Sequence, residues 1–250
     1  MKLLLDIGNS SVKWAYLSQG KLGDGGSIAH QGSIPVDAFS VWQQSIKPSQ
    51  IVVANVAGSS MMHELEDWAH AQWGLGVDAP LAVAAACGVR NAYAQAEKLG
   101  IDRWAALLAA RQRFADCPCC VIDCGTALTI DGLNADGQHL GGLIVPGLSM
   151  MRNALVGNTS GIQISGNQER VSASLLACNT EEAVERGTLN AMIATIKNTV
   201  KNLEATVKGD LACLLTGGDG RRLMPYLLND FIYDDMLVLR GLGIISGELK

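Results

Sequence analysis

Short apolar runs that close on a polar turn set the rhythm of this chain. Residues 3–22 read LLLDIGNSSVKWAYLSQGKL. An apolar run ends in Asp6-Ile7-Gly8, the small polar pair Asn9-Ser10 follows, and a second run spans Val12 to Leu17 before Gln19-Gly20. Residues 120–140 read CVIDCGTALTIDGLNADGQHL and repeat the arrangement. Asp123-Cys124-Gly125 leads into Thr126-Ala127, a run from Ala127 to Leu133, and the turn Asp136-Gly137. The same hairpin therefore occurs twice, about half a chain apart, and predicts two halves of related topology. The boundary falls before Pro118, with an N-terminal half over 1–116 and a C-terminal half over 117–250.

Elsewhere the period changes. Ile51-Val52-Val53-Ala54 is a buried-type strand, and Ser60 to Gln72 places Met61, Leu65, Trp68 and Ala69 at helical spacing. Asp102 to Phe114 predicts an amphipathic helix, with Trp104, Leu107 and Leu108 on one side and Arg111 and Gln112 off it. Glu181 to Val207 predicts a long helix. Asn179-Thr180 supplies its cap signal, and Glu181 and Glu182 suit the positive end of the dipole. Leu211 to Leu215 is a strand running into Thr216-Gly217-Gly218, and a helix from Arg221 to Leu228 follows. Strands and helices that alternate with crossovers make an α/β protein.

Composition narrows the function classes. The 250 residues suit one large domain or two moderate ones, and 48% hydrophobic against 17% charged residues excludes disorder. A net charge of −5 without any Lys/Arg cluster disfavours nucleic acid as a partner. No membrane segment is predicted, because Pro80 to Val89, the longest apolar stretch, falls short of the roughly 20 residues a spanning helix needs. Asp6 interrupts the opening leucines too early for a signal peptide. Seven cysteines, an odd number, argue against a secreted disulfide framework and for a reduced, cytoplasmic protein. Cys117-Pro118-Cys119-Cys120 invites a zinc reading, but no second Cys/His pair follows at finger spacing. Small buried hydrophobes leading into a strand are the better account.

The repeated turns carry the candidate chemistry. At Asp6-Ile7-Gly8-Asn9-Ser10, glycine lets a ligand approach the backbone and Asn9 and Ser10 can donate to phosphate oxygens. Asp6 can hold a divalent cation, and Lys13 can add positive charge. An ordinary Gly-Asn hairpin turn explains one copy as well. Two copies fit a polyphosphate held from both halves. Thr216-Gly217-Gly218-Asp219-Gly220, at a strand-to-helix junction, offers a third element for an anion or a planar ring.

That trio, in that order, resembles the actin/hexokinase/Hsp70-like ATPase superfamily. Tyr93, then Leu99-Gly100-Ile101-Asp102-Arg103-Trp104, then Ile122 to Thr129, then Gly141-Gly142-Leu143-Ile144-Val145-Pro146-Gly147, then Thr216-Gly217-Gly218 resemble the type III pantothenate kinase pattern. The resemblance covers essentially the whole chain and departs at Ala96, where the family carries proline. It implies an actin-like (ribonuclease H-like) duplicated α/β fold of two lobes with ATP in the cleft between them. The implied activity is ATP-dependent phosphorylation of pantothenate to 4'-phosphopantothenate, the first step towards coenzyme A.

The resemblance also distributes roles. Asp6, Ile7, Gly8, Asn9, Ser10, Ser11, Val12 and Lys13 would form the phosphate loop for ATP and Mg2+, with Thr126 also contacting ATP. Tyr93, Gly100, Ile101, Asp102, Arg103 and Thr180 would contact pantothenate, with Asp102 as the base. Asp123 would bind a monovalent cation, K+ or NH4+, and the enzyme would be a homodimer. Read without the resemblance, Asp102 and Thr180 are also plausible helix caps. A non-catalytic accessory relative is the rival function, and another kinase or phosphatase of the superfamily is a third. The intact Asp6, Asp102, Asp123 and Thr126 oppose the former, and the Leu99 to Arg103 block opposes the latter. The histidines, His30, His63, His70 and His139, match no motif and read as surface or incidental residues. Trp14, Trp68 and Trp104 read as packing.

Overall fold

The fold is described from a computed structural model covering residues 1–159, 161–162, 176–227 and 230–249. Its described residues gather into two units. One holds 1–117, 133–141 and 236–250, and the other holds 118–132 and 142–235.

The first unit opens with the hairpin β1 (Lys2–Ile7) and β2 (Ser11–Ser18), continues into β3 (Lys21–Ala29) and α1 (Val36–Gln43), and returns to the sheet with β4 (Gln50–Asn55). Next come α2 (Ser59–Trp73), β5 (Val77–Asp78), the small hairpin β6 (Ala85–Ala86) and β7 (Val89–Arg90), and α3 (Ile101–Arg113). The main sheet runs β3-β2-β1-β4-β5, antiparallel across the hairpin and parallel from β1 to β4. Alternation explains the burial. Leu3, Leu5 and Ile7 of β1 and Val12 and Trp14 of β2 point into one core with Ile51, Val53, Met61 and Leu65. Each such fully buried aliphatic side chain contributes about 1.5–3 kcal/mol. Trp14, Phe39, Trp42, Trp68 and Trp73 meet edge-on or stacked in the same core, so these four tryptophans serve packing.

The second sheet and its helices repeat the plan. β8 (Cys119–Cys124), β9 (Ala127–Leu133) and β10 (His139–Pro146) lead into α4 (Leu148–Asn158), then α5 (Thr180–Thr206), β11 (Ala212–Thr216), the short α6 (Gly220–Leu223) and β12 (Phe231–Tyr233). The sheet order is β10-β9-β8-β11-β12. Counted from its own first strand, this is the 3-2-1-4-5 order of the first sheet, so the duplication expected from the hairpins is present in full topology. Cys119 and Cys120 are fully buried residues of β8, small hydrophobes in a strand. The helix expected from Arg221 is one short turn followed by a 3-10 turn over Met224–Tyr226, because Pro225 removes a donor. Its expected end at Leu228 lies outside the described residues.

The last helix, α7 (Leu237–Ile245), returns to the first unit and packs along α3. A Cβ at Gly241 would overlap the Ala105 carbonyl, so the two backbones touch there. This alters the reading of α3. The pattern predicted one apolar face, yet Arg103 through Ala110 are all buried, because α7 covers the side the periodicity left open.

Candidate functional site

At the β1–β2 turn, Gly8 N donates to Ser11 O at 3.0 Å and closes the hairpin. Asp6 and Lys13 stand directly opposite one another in the register, both half-buried, while Asn9 and Ser10 are exposed at the tip. Ile7 and Val12 are wholly buried in the core and can offer a ligand only their backbone. The turn has a brace that the sequence did not reveal. His30 Nε2 lies 2.7 Å from Gly8 O, Gly32 N donates to His30 Nδ1 at 3.1 Å, and His30 N donates to Ser10 O at 3.0 Å. Since Nδ1 accepts, the ring is assigned its proton on Nε2, which donates to Gly8. His30 is thus not incidental.

The second cluster of this unit surrounds the start of α3. Gly100 occupies the N-cap position without any side-chain cap, so Asp102 lies inside the first turn rather than capping it. Its Oδ1 accepts from Arg103 N at 2.8 Å, and the helix dipole favours its negative charge. A Cβ at Gly100 would lie 2.5 Å from that oxygen, so any side chain there would push the carboxylate from its present place. Arg103 is buried, donates from Nη1 to Tyr93 OH at 3.0 Å, and lies 5.8 Å from the Tyr93 ring centre. Asn91 fixes the Tyr93 loop, accepting from Tyr93 N at 2.9 Å and donating to Ala96 O at 3.2 Å. Ala96, where proline was the family expectation, opens an ordered 3-10 turn. Tyr93, Asp102 and Arg103 are therefore brought together. His139 joins them, fully buried with its ring stacked on Tyr93, which corrects its reading as incidental.

In the second unit three turns converge on Asp123. Gly125 N donates to Ala127 O, Gly147 N to Thr126 O, and Asp219 N to Cys124 O, all within 2.9–3.1 Å. Gly217 holds φ +87°, and a Cβ there would strike Asp123 Oδ1 and the Cys124 backbone. Thr126 and Asp123 thus share one end of the sheet with Thr216-Gly217-Gly218. Burial pushes the Cys124 thiol far up, so it is an inert filler.

A charge network backs these turns. Arg152 of α4 and Arg222 of α6 both bond Glu185 of α5, at 2.5 and 3.1 Å. Burial alone would raise the Glu185 carboxyl, but the two arginines outweigh it and hold it below the usual range. Burial raises Asp219 against the pull of the same two arginines.

At the start of α5 the cap is Asn179, whose Oδ1 accepts from Glu182 N at 2.9 Å. Thr180 is the first helical residue and not the cap. It lines an apolar groove of about 680 Å3 with Pro146, Met151, Leu155, Val184 and Ala191.

A sequence model of the type III pantothenate kinase family matches residues 2–202. The chain belongs to the type III pantothenate kinase family. It is 40% identical over 253 residues to the type III pantothenate kinase of Nitrosococcus oceani, covering 99% of this chain and 94% of that one. Among solved structures it is similar to a Campylobacter jejuni protein described as a Baf family transcriptional activator. The TM-score is 0.62 with 25% identity, over 98% of both chains. A Sinorhizobium meliloti protein described as a 2-dehydro-3-deoxygalactonokinase matches with TM-score 0.59 and 13% identity, over 98% of this chain and 96% of that one, and shows the fold alone. The fold is the duplicated actin-like one, and the chain is a kinase of coenzyme A biosynthesis that phosphorylates pantothenate with ATP. No helix among the described residues is long and apolar enough to cross a membrane.

Proposed function

We propose that the cluster at the start of α3 is where pantothenate binds and is activated. The observation that carries this reading is the joining of Tyr93, Asp102 and Arg103 by hydrogen bonds around a bare Gly100. Arg103 offers its fork to the substrate carboxylate, with Tyr93, Gly100 and Ile101 shaping the pocket. Thr180 is read, separately, as a further pantothenate contact. Asp102 accepts the proton of the attacking hydroxyl as its oxygen bonds to the γ-phosphorus and the bond to ADP breaks. Phosphoryl transfer depends on positioning and charge neutralisation, so an ordinary carboxylate suffices.

Asp6, Gly8, Asn9, Ser10 and Lys13, with the backbone of Ile7, Ser11 and Val12, hold the ATP phosphates, and Thr126 contacts ATP. One carboxylate beside phosphate oxygens and water is the usual donor set for magnesium, and Asp6 fits it. Gly125 and Gly217 leave the Asp123 carboxylate open, a hard oxygen donor that suits potassium or ammonium. These cations neutralise charge on the phosphates when bound. We extend the proposal to a cytoplasmic homodimer, supported by the apolar groove and by exposed Met150, Leu155 and Val156 on α4.

The test is ADP release with ATP, magnesium and pantothenate, run in potassium and in sodium. Turnover should need pantothenate and be faster in potassium. Asp102→Asn should bind ATP yet lose turnover. Near-normal turnover in that variant removes Asp102 from the role of base.

A further inference from the structure

We infer that His139 is a positioning residue for pantothenate, holding Tyr93 and through it Arg103. The inference rests on the reading of Tyr93 and Arg103 as substrate contacts. His139 opens β10 and is 1% exposed. Its ring lies 6.2 Å from the Tyr93 ring, centre to centre, with only 12° between their planes. That is the range of offset stacking. Ala92 N donates to His139 Nδ1 at 3.4 Å, so one imidazole grips both the Tyr93 ring and the backbone just before it. With Nδ1 accepting, the ring proton is assigned to Nε2.

The next link is Arg103, whose Nη1 donates to Tyr93 OH at 3.0 Å. A rotated Tyr93 would withdraw that acceptor and take away one of the contacts that set the guanidinium's position. The imidazole is itself held in place. Arg90 N donates to Gly137 O at 2.8 Å, Arg90 Nε donates to Gln138 Oε1 at 3.1 Å, and Arg111 Nη1 donates to Ala135 O at 2.7 Å. The two Arg90 bonds tie the segment ending at His139 to β7, the strand that leads to Tyr93, and the Arg111 bond ties it to α3. An aliphatic residue could fill the volume, but it would supply neither the flat surface nor the acceptor. Both features are in use.

Two substitutions separate them. His139→Phe keeps a flat ring and loses the acceptor, whereas His139→Asn keeps an acceptor and loses the stack. Each folded variant should raise the KM for pantothenate about threefold to tenfold, with the KM for ATP and kcat within twofold of the parent. Tyr93→Ala is measured alongside. If Tyr93→Ala raises the pantothenate KM and both His139 variants leave it unchanged, the inference falls and the pocket stands. If Tyr93→Ala also leaves it unchanged, the pocket reading falls and takes the inference with it.

A measurement on the unsubstituted enzyme covers the case in which neither variant folds. With 15N-labelled histidine, the ring signals are assigned by substituting His30, His63 and His70. Pantothenate should shift the His139 signal, and its Nδ1 should show the shift of an unprotonated acceptor. A His139 signal unmoved by saturating pantothenate overturns the inference.

Discussion

The two Asp-x-Gly hairpins share a sequence pattern and a place in the sheet, yet they are held by different means. Around Gly8 the support includes the His30 imidazole and a few backbone bonds, and a Cβ on Gly8 would meet only Ser11 O, at 3.6 Å. Around Asp123 the support is close backbone packing from Gly147 and Gly217, backed by the Arg152–Glu185–Arg222 network. The duplication thus preserved the strand order and the Asp-x-Gly turn while the buttresses diverged. A turn with open space at its glycine can adjust to a ligand. One wedged by backbone against backbone is set before anything binds.

The harshest way to break this contrast is Gly217→Ala. The added methyl must enter the Asp123 carboxylate and the Cys124 backbone at a φ of +87°. Left-handed strain and overpacking together should cost about 2–4 kcal/mol. Thermal unfolding should show a fall in Tm of several degrees, with turnover lost. A variant as stable as the parent would mean the turn is not wedged.

The charge network sharpens the comparison, because only the second hairpin should respond to acid through it. The Glu185 carboxyl is held below its unfolded value, so its stabilisation is present above about pH 4.3 and is lost as pH falls through the folded value. At neutral pH Glu185→Gln should cost about 1–2 kcal/mol. The gap from the parent should close on acidification between about pH 5 and 3. A constant gap across that range would show that the carboxylate charge contributes nothing.

Removing the His30 imidazole tests the other support. His30→Ala deletes the bonds to Gly8 O and Gly32 N, worth about 1 kcal/mol together. It should also raise the KM for ATP about threefold without touching that for pantothenate. Equal effects on both substrates would point to general loosening rather than to a brace on the phosphate turn.

What the sequence disclosed and what it hid divide along the same line. Periodicity and the repeated Asp-x-Gly turn were enough to place β1, β2, β8 and β9, the long α5 and the duplicated topology, because those signals are local. Tyr93 and the Gly100 to Arg103 block were also legible, through family resemblance. The supports were not. His30 reaches Gly8 only because Ser11 pairs with Ala29, and His139 reaches Tyr93 only because 133–141 docks on β7. Nothing in the residues around either histidine encodes its partner. The burial of α3 on all sides was equally hidden, since it depends on α7, more than a hundred residues later.

The gentlest substitution makes the sharpest comparison. Gly8→Ala adds the same methyl as Gly217→Ala, but inside the first hairpin rather than in a turn packed against the second, and there the nearest atom lies at ordinary van der Waals distance. Without nucleotide the protein should therefore lose less than about 1 kcal/mol, a shift in Tm of roughly 2–4 °C at most. The cost should appear only when phosphate must approach the backbone, as a severalfold rise in the KM for ATP. The pantothenate KM should hold. Equal losses of stability from Gly8→Ala and Gly217→Ala would show that both hairpins are wedged alike, and the contrast between them would collapse.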